Sequence, residues 1–362
     1  MTAPTPLAHL RQIYTLQGNG TDVRHLCALT RYGSPTVVVA RDDGQITLWD
    51  LPSGLPVIRP LTADNPVTAL HEMEDGRSFM YAAANSVHHI EADSLRTICS
   101  VVSPYSAPIN ALASTSDFLI AADTEGNIIL WRRPSYSYYA SWKAHNGPVV
   151  GLAPTRGQQL LTAAYGERIS LWTMPKGETD SSALFPLPDI PLAATGVFSL
   201  SHQHIAVTNY DSSVLILSPG TPAHWCVLND GFPLWAVASY PDSAAPTHII
   251  SAGDVHGVWL WEADHVLDPP PESPTAAPAS SLPPASPVAP ASPKNRTVAT
   301  AQPLRSLSPH PTDALCVSVV PVIRASTKRA NPHRLHWAAP VIVVPMNDGN
   351  LAVWQDRPGP LP

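Results

Sequence analysis

The residues that could carry chemistry are scattered along the chain, in spacings that match no common catalytic or metal-binding pattern. The four cysteines include no CxxC pair, so zinc-ribbon and thioredoxin-like sites are not indicated. His202 and His204 would share one face of a strand, but no cysteine or carboxylate is near, and a solvated turn is the simpler interpretation. Nucleophile-elbow, HExxH and phosphate-loop motifs do not occur. The sequence therefore predicts no enzyme activity, no cofactor and no metal.

Composition restricts the class of protein further. Apolar residues make up 44% of the chain and charged residues 14%, which favours a folded core over disorder. The net charge of -7 lacks the basic footprint of nucleic-acid modules and argues against that role. No apolar run approaches the ~18 residues of a membrane span, and residues 1–10 lack a secretory apolar region. We therefore expect a protein of the cytoplasm or nucleus, away from membranes.

A short motif recurs about every forty residues, in which an alternating apolar run closes on tryptophan. Five copies end in Trp, and two weaker copies, Ser86–Ile90 and Ser213–Leu217, replace it. The seven anchors stand at positions 49, 90, 131, 172, 217, 261 and 354, and five of the six spacings are 41 to 45 residues. The last spacing contains one period plus an insertion. We number the repeats units one to seven after these anchors.

Each unit has the pattern of a small antiparallel sheet. In unit four, the apolar segments 148–154, 159–164 and 169–172 are separated by turn residues, and helical spacing of apolar residues is absent. A lone four-stranded sheet cannot bury both faces, whereas a closed ring of such sheets does. The segment Leu10–Leu16 is predicted to complete the last sheet. The expected fold is all-β, a seven-bladed β-propeller whose N-terminal strand closes the last blade.

This arrangement resembles the WD40-repeat family over nearly all of the chain except the insertion. Leu48-Trp49-Asp50 contains the Trp-Asp dipeptide of that family. Its tight Asp-Gly turn is matched at Asp43-Gly44 and Asp348-Gly349, and Asp211 stands at the same turn position in unit five. Glu125 replaces the turn aspartate in unit three. The resemblance implies a divergent member of the family.

The resemblance extends to a buried polar network in unit four. His145, Thr162 and Trp172 resemble the family's network of His, Ser/Thr and Trp, although Gly166 occupies the place of its aspartate. Because such networks lock the register of a sheet, their loss elsewhere predicts a propeller that depends on apolar packing. The function that the resemblance implies is a non-enzymatic scaffold for other proteins, as a subunit of a hetero-complex.

A second function is also open, that of substrate receptor of a cullin-RING ubiquitin ligase. Such receptors often carry Trp-Asp-x-Arg after a third strand. Here Leu51-Pro52 follows Trp49-Asp50, and the segment 354–357 lacks the aspartate next to tryptophan. The motif is incomplete in both places, so the scaffold is the preferred hypothesis.

Four residues are candidates for contact with a partner. In propellers of this kind, partners often dock over the face formed by turns between the second and third strands. Tyr165, Tyr210 and Asn347 precede the turn position on that face, and Trp235 opens the first strand of unit six. Exposed tyrosine and tryptophan dominate the binding energy of many interfaces. The alternative for Trp235 is that it packs against a neighbouring blade.

Residues 267–300 form an insertion in unit six with ten prolines in 34 positions. This composition predicts disorder, while residues 6–266 and 301–357 are expected to form one propeller. The insertion should leave the face opposite to the His145 loop. Its Ser-Pro pairs are candidate sites for proline-directed phosphorylation, although composition alone would also produce them: Ser273, Ser286, Ser292 and Ser308.

A basic loop between the first two strands of unit seven is predicted on the same face as the insertion. Its charged and aromatic residues are Arg324, Lys328, Arg329, Arg334, His333, His336 and Trp337. The functional interpretation is a contact for an acidic partner or a nucleic-acid backbone. A solvated charged loop is the alternative.

Overall fold

The computed structural model describes most of the ring-forming segments of the chain. The described residues are 10–57, 60–155, 158–174, 176–179, 192–200, 204–218, 224–227, 233–240, 246, 248–253, 257–267, 298–300, 305–306, 318–320, 341–346 and 348–356. They contain strands and one five-residue helix, in agreement with the predicted all-β class. None of the helical structure in these residues is long and apolar enough to cross a membrane.

The strands follow one another as short antiparallel meanders. In units one to three they are β1 (Leu10–Leu16), β2 (Val23–Arg31), β3 (Ser34–Arg41), β4 (Gln45–Asp50), β5 (Leu55–Pro56), β6 (Leu61–Thr62), β7 (Val67–Glu72), β8 (Ser78–Ala83), β9 (Ser86–Glu91), β10 (Thr97–Val102), β11 (Ile109–Ser114), β12 (Phe118–Asp123), β13 (Asn127–Arg132) and β14 (Ser137–Lys143). In units four to seven they are β15 (Val149–Thr155), β16 (Gln159–Glu167), β17 (Ser170–Thr173), β18 (Glu178–Thr179), β19 (Leu192–Ser199), β20 (Ile205–Asn209), β21 (Ser213–Leu217), β22 (His224–Val227), β23 (Leu234–Tyr240), β24 (His248–Gly253), β25 (Gly257–Glu262), β26 (Val298–Thr300), β27 (Arg305–Ser306), β28 (Ser318–Val320), β29 (Val341–Pro345) and β30 (Leu351–Asp356), with helix α1 (Ala263–Leu267) after β25.

The described strands form six hydrogen-bonded sheets, so the prediction of seven separate ones is wrong. Five sheets have four or five strands, and the sixth has nine. The physical reason is β16, which runs past its own meander: Tyr165 pairs with Ala193 and Glu167 with Leu192 on β19. This short ladder joins the meanders of units four and five into one sheet.

The first strands of the units contact one another in a closed ring: β2, β7, β11, β15, β19, β23, β28 and back to β2. The second strands behind them are buried over most of their length, and every residue of β8, β12 and β24 is buried. Apolar clusters lie between consecutive units; one contains Val37 of unit one and Val353 of unit seven. Non-directional apolar burial of this kind is the dominant stabilising contribution in a propeller with few polar locks.

The ring closes by pairing the two ends of the described chain, as predicted. β1 is antiparallel to β30, with Leu10 opposite Asp356 and Leu16 opposite Leu351. The sheet order is β1-β30-β29-β28. Consecutive units are joined by the polypeptide itself, whereas the last unit is joined to the start of the chain by hydrogen bonds. The β1–β30 ladder is therefore the non-covalent closure of the ring.

A polar clasp strengthens that closure where β1 leads into unit one. The buried Arg41 side chain donates from Nη1 to the carbonyl oxygens of Thr21 and Gly349, each at 2.7 Å. The Gly18 amide donates to Asn350 Oδ1 at 2.6 Å. A Cβ on Gly18 would lie 1.9 Å from the Gly349 carbonyl oxygen, so only glycine fits this crossing.

Both ends of the predicted insertion 267–300 belong to regular secondary structure. The segment still expected to be disordered is therefore shorter, 268–297. Leu267 ends α1, and β26 (Val298–Thr300) pairs in parallel with β22, the outer strand of unit five. Backbone pairing at this free sheet edge explains the difference, because an edge offers unpaired N–H and C=O groups. Residues 268–297, with Ser273, Ser286 and Ser292, lie outside the described part of the chain.

Candidate docking face

One end of the units gathers the starts of the first strands and the turns between second and third strands; we call it the upper face. Backbone hydrogen bonds hold these parts together. The Tyr165 amide donates to the Pro148 carbonyl at 3.2 Å, and the Thr124 amide to the Pro108 carbonyl at 2.9 Å. The upper face is therefore where the tyrosines predicted to contact a partner lie.

A register shift recurs at the start of six first strands, just below the upper face. In each, a residue at or near the start of the first strand pairs with one at or near the end of the second strand, and the ladder then skips one residue. Such bulges re-aim side chains out of the regular alternation. The skipped residues are Arg24, Thr68, Asn110, Val150, Thr195 and Trp235.

Three of these bulged residues connect their unit to the next. Thr68 Oγ1 donates to the Ile109 carbonyl at 2.5 Å, and Asn110 Nδ2 to the Val149 carbonyl at 2.9 Å. The Thr195 hydroxyl donates in the same way to the carbonyl of Leu234. The bulge position is thus a junction between neighbouring first strands, which sequence periodicity alone does not reveal.

Trp235 occupies the same bulge position in unit six, with an indole where Thr68, Asn110 and Thr195 have a small donor. It is half-buried, and its ring meets that of Tyr210 edge-on, with centroids 6.3 Å apart and an interplanar angle of 86°. Trp235 therefore packs against a residue of the neighbouring unit and keeps part of its surface exposed; its contact with a partner stays a prediction.

Tyr210 therefore stands beside Trp235, and the two predicted tyrosines share one backbone anchor. Tyr165 pairs with Ala193 across the β16–β19 ladder, and the Tyr210 amide donates to the Ala193 carbonyl at 2.9 Å. Their side chains are 54% and 51% exposed. We call Tyr165, Tyr210 and Trp235 the aromatic patch. Its rigid backbone and exposed rings are the combination that binding hot spots use.

The predicted polar network of unit four forms, and it contains a carboxylate that the sequence interpretation missed. His145 Nε2 lies 2.8 Å from Thr162 Oγ1, and Trp172 Nε1 donates to the same oxygen at 2.9 Å. Glu167 replaces the absent aspartate: its Oε2 lies 3.0 Å from His145 Nδ1, and its Oε1 accepts from the Asn146 amide at 2.8 Å. Glu167 stands one residue after Gly166, and its longer side chain reaches the same histidine that the family's aspartate would contact. A carboxylate at the next position is therefore the sequence signal for this contact.

Burial lowers the pKa of His145, and Glu167 opposes that shift. The imidazole is therefore held mainly in its neutral form, with Nδ1–H directed to Glu167 and Nε2 accepting from Thr162. This network lies directly behind the turn that presents Tyr165. Its role is to fix the position of that turn.

A second network, between units two and three, accounts for His89. Its Nε2 lies 2.8 Å from Ser78 Oγ, which donates to Asp75, and its Nδ1 lies 2.7 Å from the Tyr136 hydroxyl. Burial lowers the pKa of His89. His88 instead stacks on Tyr81. Within the described residues, no group of three His, Cys, Asp or Glu side chains could hold a metal ion.

Several predicted site residues lie outside the described residues. They are Asn347, Ser308, His202 and the whole basic loop with Arg324, Lys328, Arg329, Arg334 and Trp337. The structure brings together three of the four predicted partner contacts, Tyr165, Tyr210 and Trp235. It adds Glu167 and the bulge ring, which no residue pattern had indicated.

Comparison with known proteins agrees with this architecture. The chain matches no model of a known protein family. It is 24% identical over 120 residues to ASTRA-associated protein 1 of Clavispora lusitaniae, a match that spans 32% of this chain and 31% of that protein. Among solved structures, it superposes on a chain of the crystal structure of the mitotic checkpoint complex with a TM-score of 0.68, 15% identity and coverage of 98% of this chain and 95% of that one. The chain therefore has the β-propeller fold.

Proposed function

We propose that the protein is a divergent WD40 propeller that works as a non-enzymatic scaffold within a hetero-complex, and that it docks a partner protein on the aromatic patch. The observation that carries the proposal is the exposure of two tyrosine rings on a rigid turn pair, beside a half-buried tryptophan. Soluble proteins rarely present such groups together without a use for them.

The energetics favour protein over small-molecule binding. The patch presents aromatic rings at the ends of strands, and each well-packed aromatic anchor contributes about 2 kcal/mol or more to a protein interface. An enclosed cavity with convergent polar groups is the usual mark of a substrate site. Bulges and cross-unit hydrogen bonds below the patch keep its backbone in place, which limits the entropy lost on binding.

The similar proteins support a role in assemblies. One is named for its association with ASTRA, and the other is part of the mitotic checkpoint complex. We extend this to a cytoplasmic or nuclear hetero-complex for the present chain. We further propose one propeller from 6–266 and 301–357, with the proline-rich segment and the basic loop of unit seven as accessory elements on the opposite face.

Affinity purification with quantitative mass spectrometry tests the proposal. The full chain would be compared with a Y165A/Y210A/W235A variant and with a control, Tyr138→Ala on outer strand β14, which is as exposed as Tyr165 at 54%. The expected result is loss of one or more stoichiometric partners from the triple variant and retention by Tyr138→Ala. Unchanged partners in the folded triple variant would refute docking at this patch, and recovery of a cullin adaptor would favour a ligase receptor instead.

A further inference from the structure

The upper face, which also presents the aromatic patch, carries an excess of exposed negative charge. Its exposed carboxylates in the described residues number seven, against three exposed basic side chains. The acidic residues are Asp22, Asp42, Asp43, Asp64, Glu125, Asp211 and Asp348. The basic ones are Arg24, Lys143 and Arg168.

Pairing leaves this excess of negative charge in place, because an ion pair removes one charge of each sign. Arg24 forms a bidentate ion pair with Asp42. Lys143 donates to the carbonyl oxygen of Glu125 while that carboxylate remains exposed. Asp211, next to Tyr210, accepts a hydrogen bond from the Ser213 amide at 3.1 Å and so holds the turn. A surface with net negative charge produces a potential that attracts a positively charged partner.

The opposite face does not share this imbalance. Among described residues, its loops between first and second and between third and fourth strands expose five acidic and four basic side chains. These are Glu72, Glu74, Asp75, Glu91 and Asp117, against Arg77, Arg96, Arg132 and Lys176. The excess of negative charge is therefore larger on the face that also presents the aromatic patch.

Exposed aromatic rings next to carboxylates match one side chain better than any other. A guanidinium stacks flat on a tyrosine or tryptophan ring and forms a bidentate ion pair with a carboxylate. A lysine ammonium is a strongly hydrated point charge and offers neither geometry. The molecule already uses such stacking: the Arg132 guanidinium carbon lies 4.6 Å from the centre of the Tyr139 ring. Nucleic acid would be repelled by the same carboxylates.

We propose that the upper face binds an arginine-containing segment of a partner protein, with guanidinium groups on the rings of Tyr165 and Tyr210 and on the neighbouring carboxylate of Asp211. This inference rests on the proposed function, because it assumes docking at the aromatic patch. It specifies the chemistry of the partner at that patch.

Peptide binding to the full chain tests it directly. Labelled deca-arginine, deca-lysine and deca-glutamate would be titrated by fluorescence anisotropy at two salt concentrations. Deca-arginine should bind about two- to fivefold tighter than deca-lysine, the range of one exposed cation–π contact, and deca-glutamate should not bind. The Y165A/Y210A variant should lower deca-arginine to the affinity of deca-lysine.

Charge variants provide the matched control. Asp211→Asn keeps an oxygen acceptor for Ser213 and should weaken both basic peptides about twofold, more strongly at low salt. Asp117→Asn removes one exposed carboxylate from the opposite face and should change neither. Equal affinity for arginine and lysine peptides, or equal effects of the two charge variants, would overturn the inference.

The same peptides separate this inference from the proposed function. Deca-arginine added to the affinity purification should displace the partner that the triple aromatic variant loses. If the partner depends on the aromatic patch but resists displacement, docking at the patch holds and the arginine segment is refuted. If the partner does not depend on the patch, docking itself is refuted, whatever the peptides do.

Discussion

Units one and four solve the same packing problem in different ways. Unit one has the Trp-Asp dipeptide and the Asp-Gly turn, yet the buried Nε1 of Trp49 has no hydrogen-bond partner. Unit four lacks both signatures, yet its tryptophan, threonine, histidine and glutamate form a continuous network. The visible sequence signature and the polar lock are therefore separable features.

A single residue of the second strand accounts for the difference. Trp172 pairs with Leu160, and Thr162 lies two residues further along β16; Trp49 pairs with Val37, and the corresponding residue is Val39. Unit six follows unit four, since Ser251 Oγ accepts from Trp261 Nε1 at 2.8 Å. A hydroxyl at this position decides whether the buried indole is satisfied.

Removing the hydroxyl from unit four should have the largest effect. Thr162→Val keeps the shape of a fully buried side chain but leaves Trp172 Nε1 and His145 Nε2 without their acceptor and donor. We expect a loss of about 3 kcal/mol in the free energy of unfolding, since each orphaned polar group costs about 1–3 kcal/mol. Urea unfolding followed by tryptophan fluorescence measures it; a loss under about 0.5 kcal/mol would mean that the network is not a lock.

Acid should destabilise unit one through a buried histidine. Burial lowers the pKa of His25 on β2 to about 4, with Arg24 adding to the shift and Asp42 opposing it. The unfolded chain then binds more protons between about pH 6.5 and 4, so stability is constant above that range and falls as the pH decreases through it. One such group costs about 2 kcal/mol at pH 5.

Comparison of unfolding between pH 7.5 and 5 checks this. His25→Gln should flatten the pH dependence, because glutamine does not titrate and keeps a donor for the carbonyl of Val67, which His25 contacts. His71, whose pKa burial also lowers to about 4, provides a second histidine of the same kind on β7. An unchanged slope in His25→Gln would contradict the assignment.

Removal of the unexpected carboxylate should have a smaller effect. Glu167→Ala takes the acceptor from His145 and from the Asn146 amide, but part of this site is open to water. We expect a loss of about 1 kcal/mol, with Glu167→Gln recovering about half of it because the amide oxygen still accepts. Chemical denaturation of the three proteins gives the order, and equal stability of all three would assign the network to His145 and Thr162 alone.

The smallest effect should have the opposite sign. Val39→Thr places a hydroxyl where unit four has Thr162, so that Trp49 Nε1 gains an acceptor. The net gain should be about 0.5 kcal/mol, because satisfying both the indole and the new hydroxyl outweighs the usual cost of burying a hydroxyl. Val37→Thr, equally buried and directly opposite Trp49, is the matched control and should lose about 1–2 kcal/mol. Destabilisation by both changes would break the comparison.

Local patterns predicted much of this fold because they depend on neighbours in sequence. The apolar alternation of Ser213–Leu217 forms β21, and Leu10–Leu16 forms β1 with the expected partner. Contacts between units leave no comparable pattern in the sequence, because the residues that meet are far apart along the chain. The β16–β19 ladder joins residues more than twenty positions apart, and it decides the number of sheets.

The candidate site was predictable to the same extent. Turn position alone placed Tyr165 and Tyr210 on the upper face, and strand position placed Trp235 near them. Their common anchor at Ala193 depends on pairing between units. Glu167 was missed because the expected carboxylate was assigned to one fixed position, whereas side-chain length allows the next position to reach the same histidine.

The ladder between β1 and β30 has a consequence for biosynthesis. At about 5–20 residues per second, a ribosome needs roughly half a minute to travel from the first of these strands to the last. Throughout that interval β1 lacks its partner strand, and the nascent chain exposes two unpaired sheet edges. A chaperone or a partner subunit that covers these edges during synthesis would affect the yield of folded protein as strongly as the stability of the finished protein does.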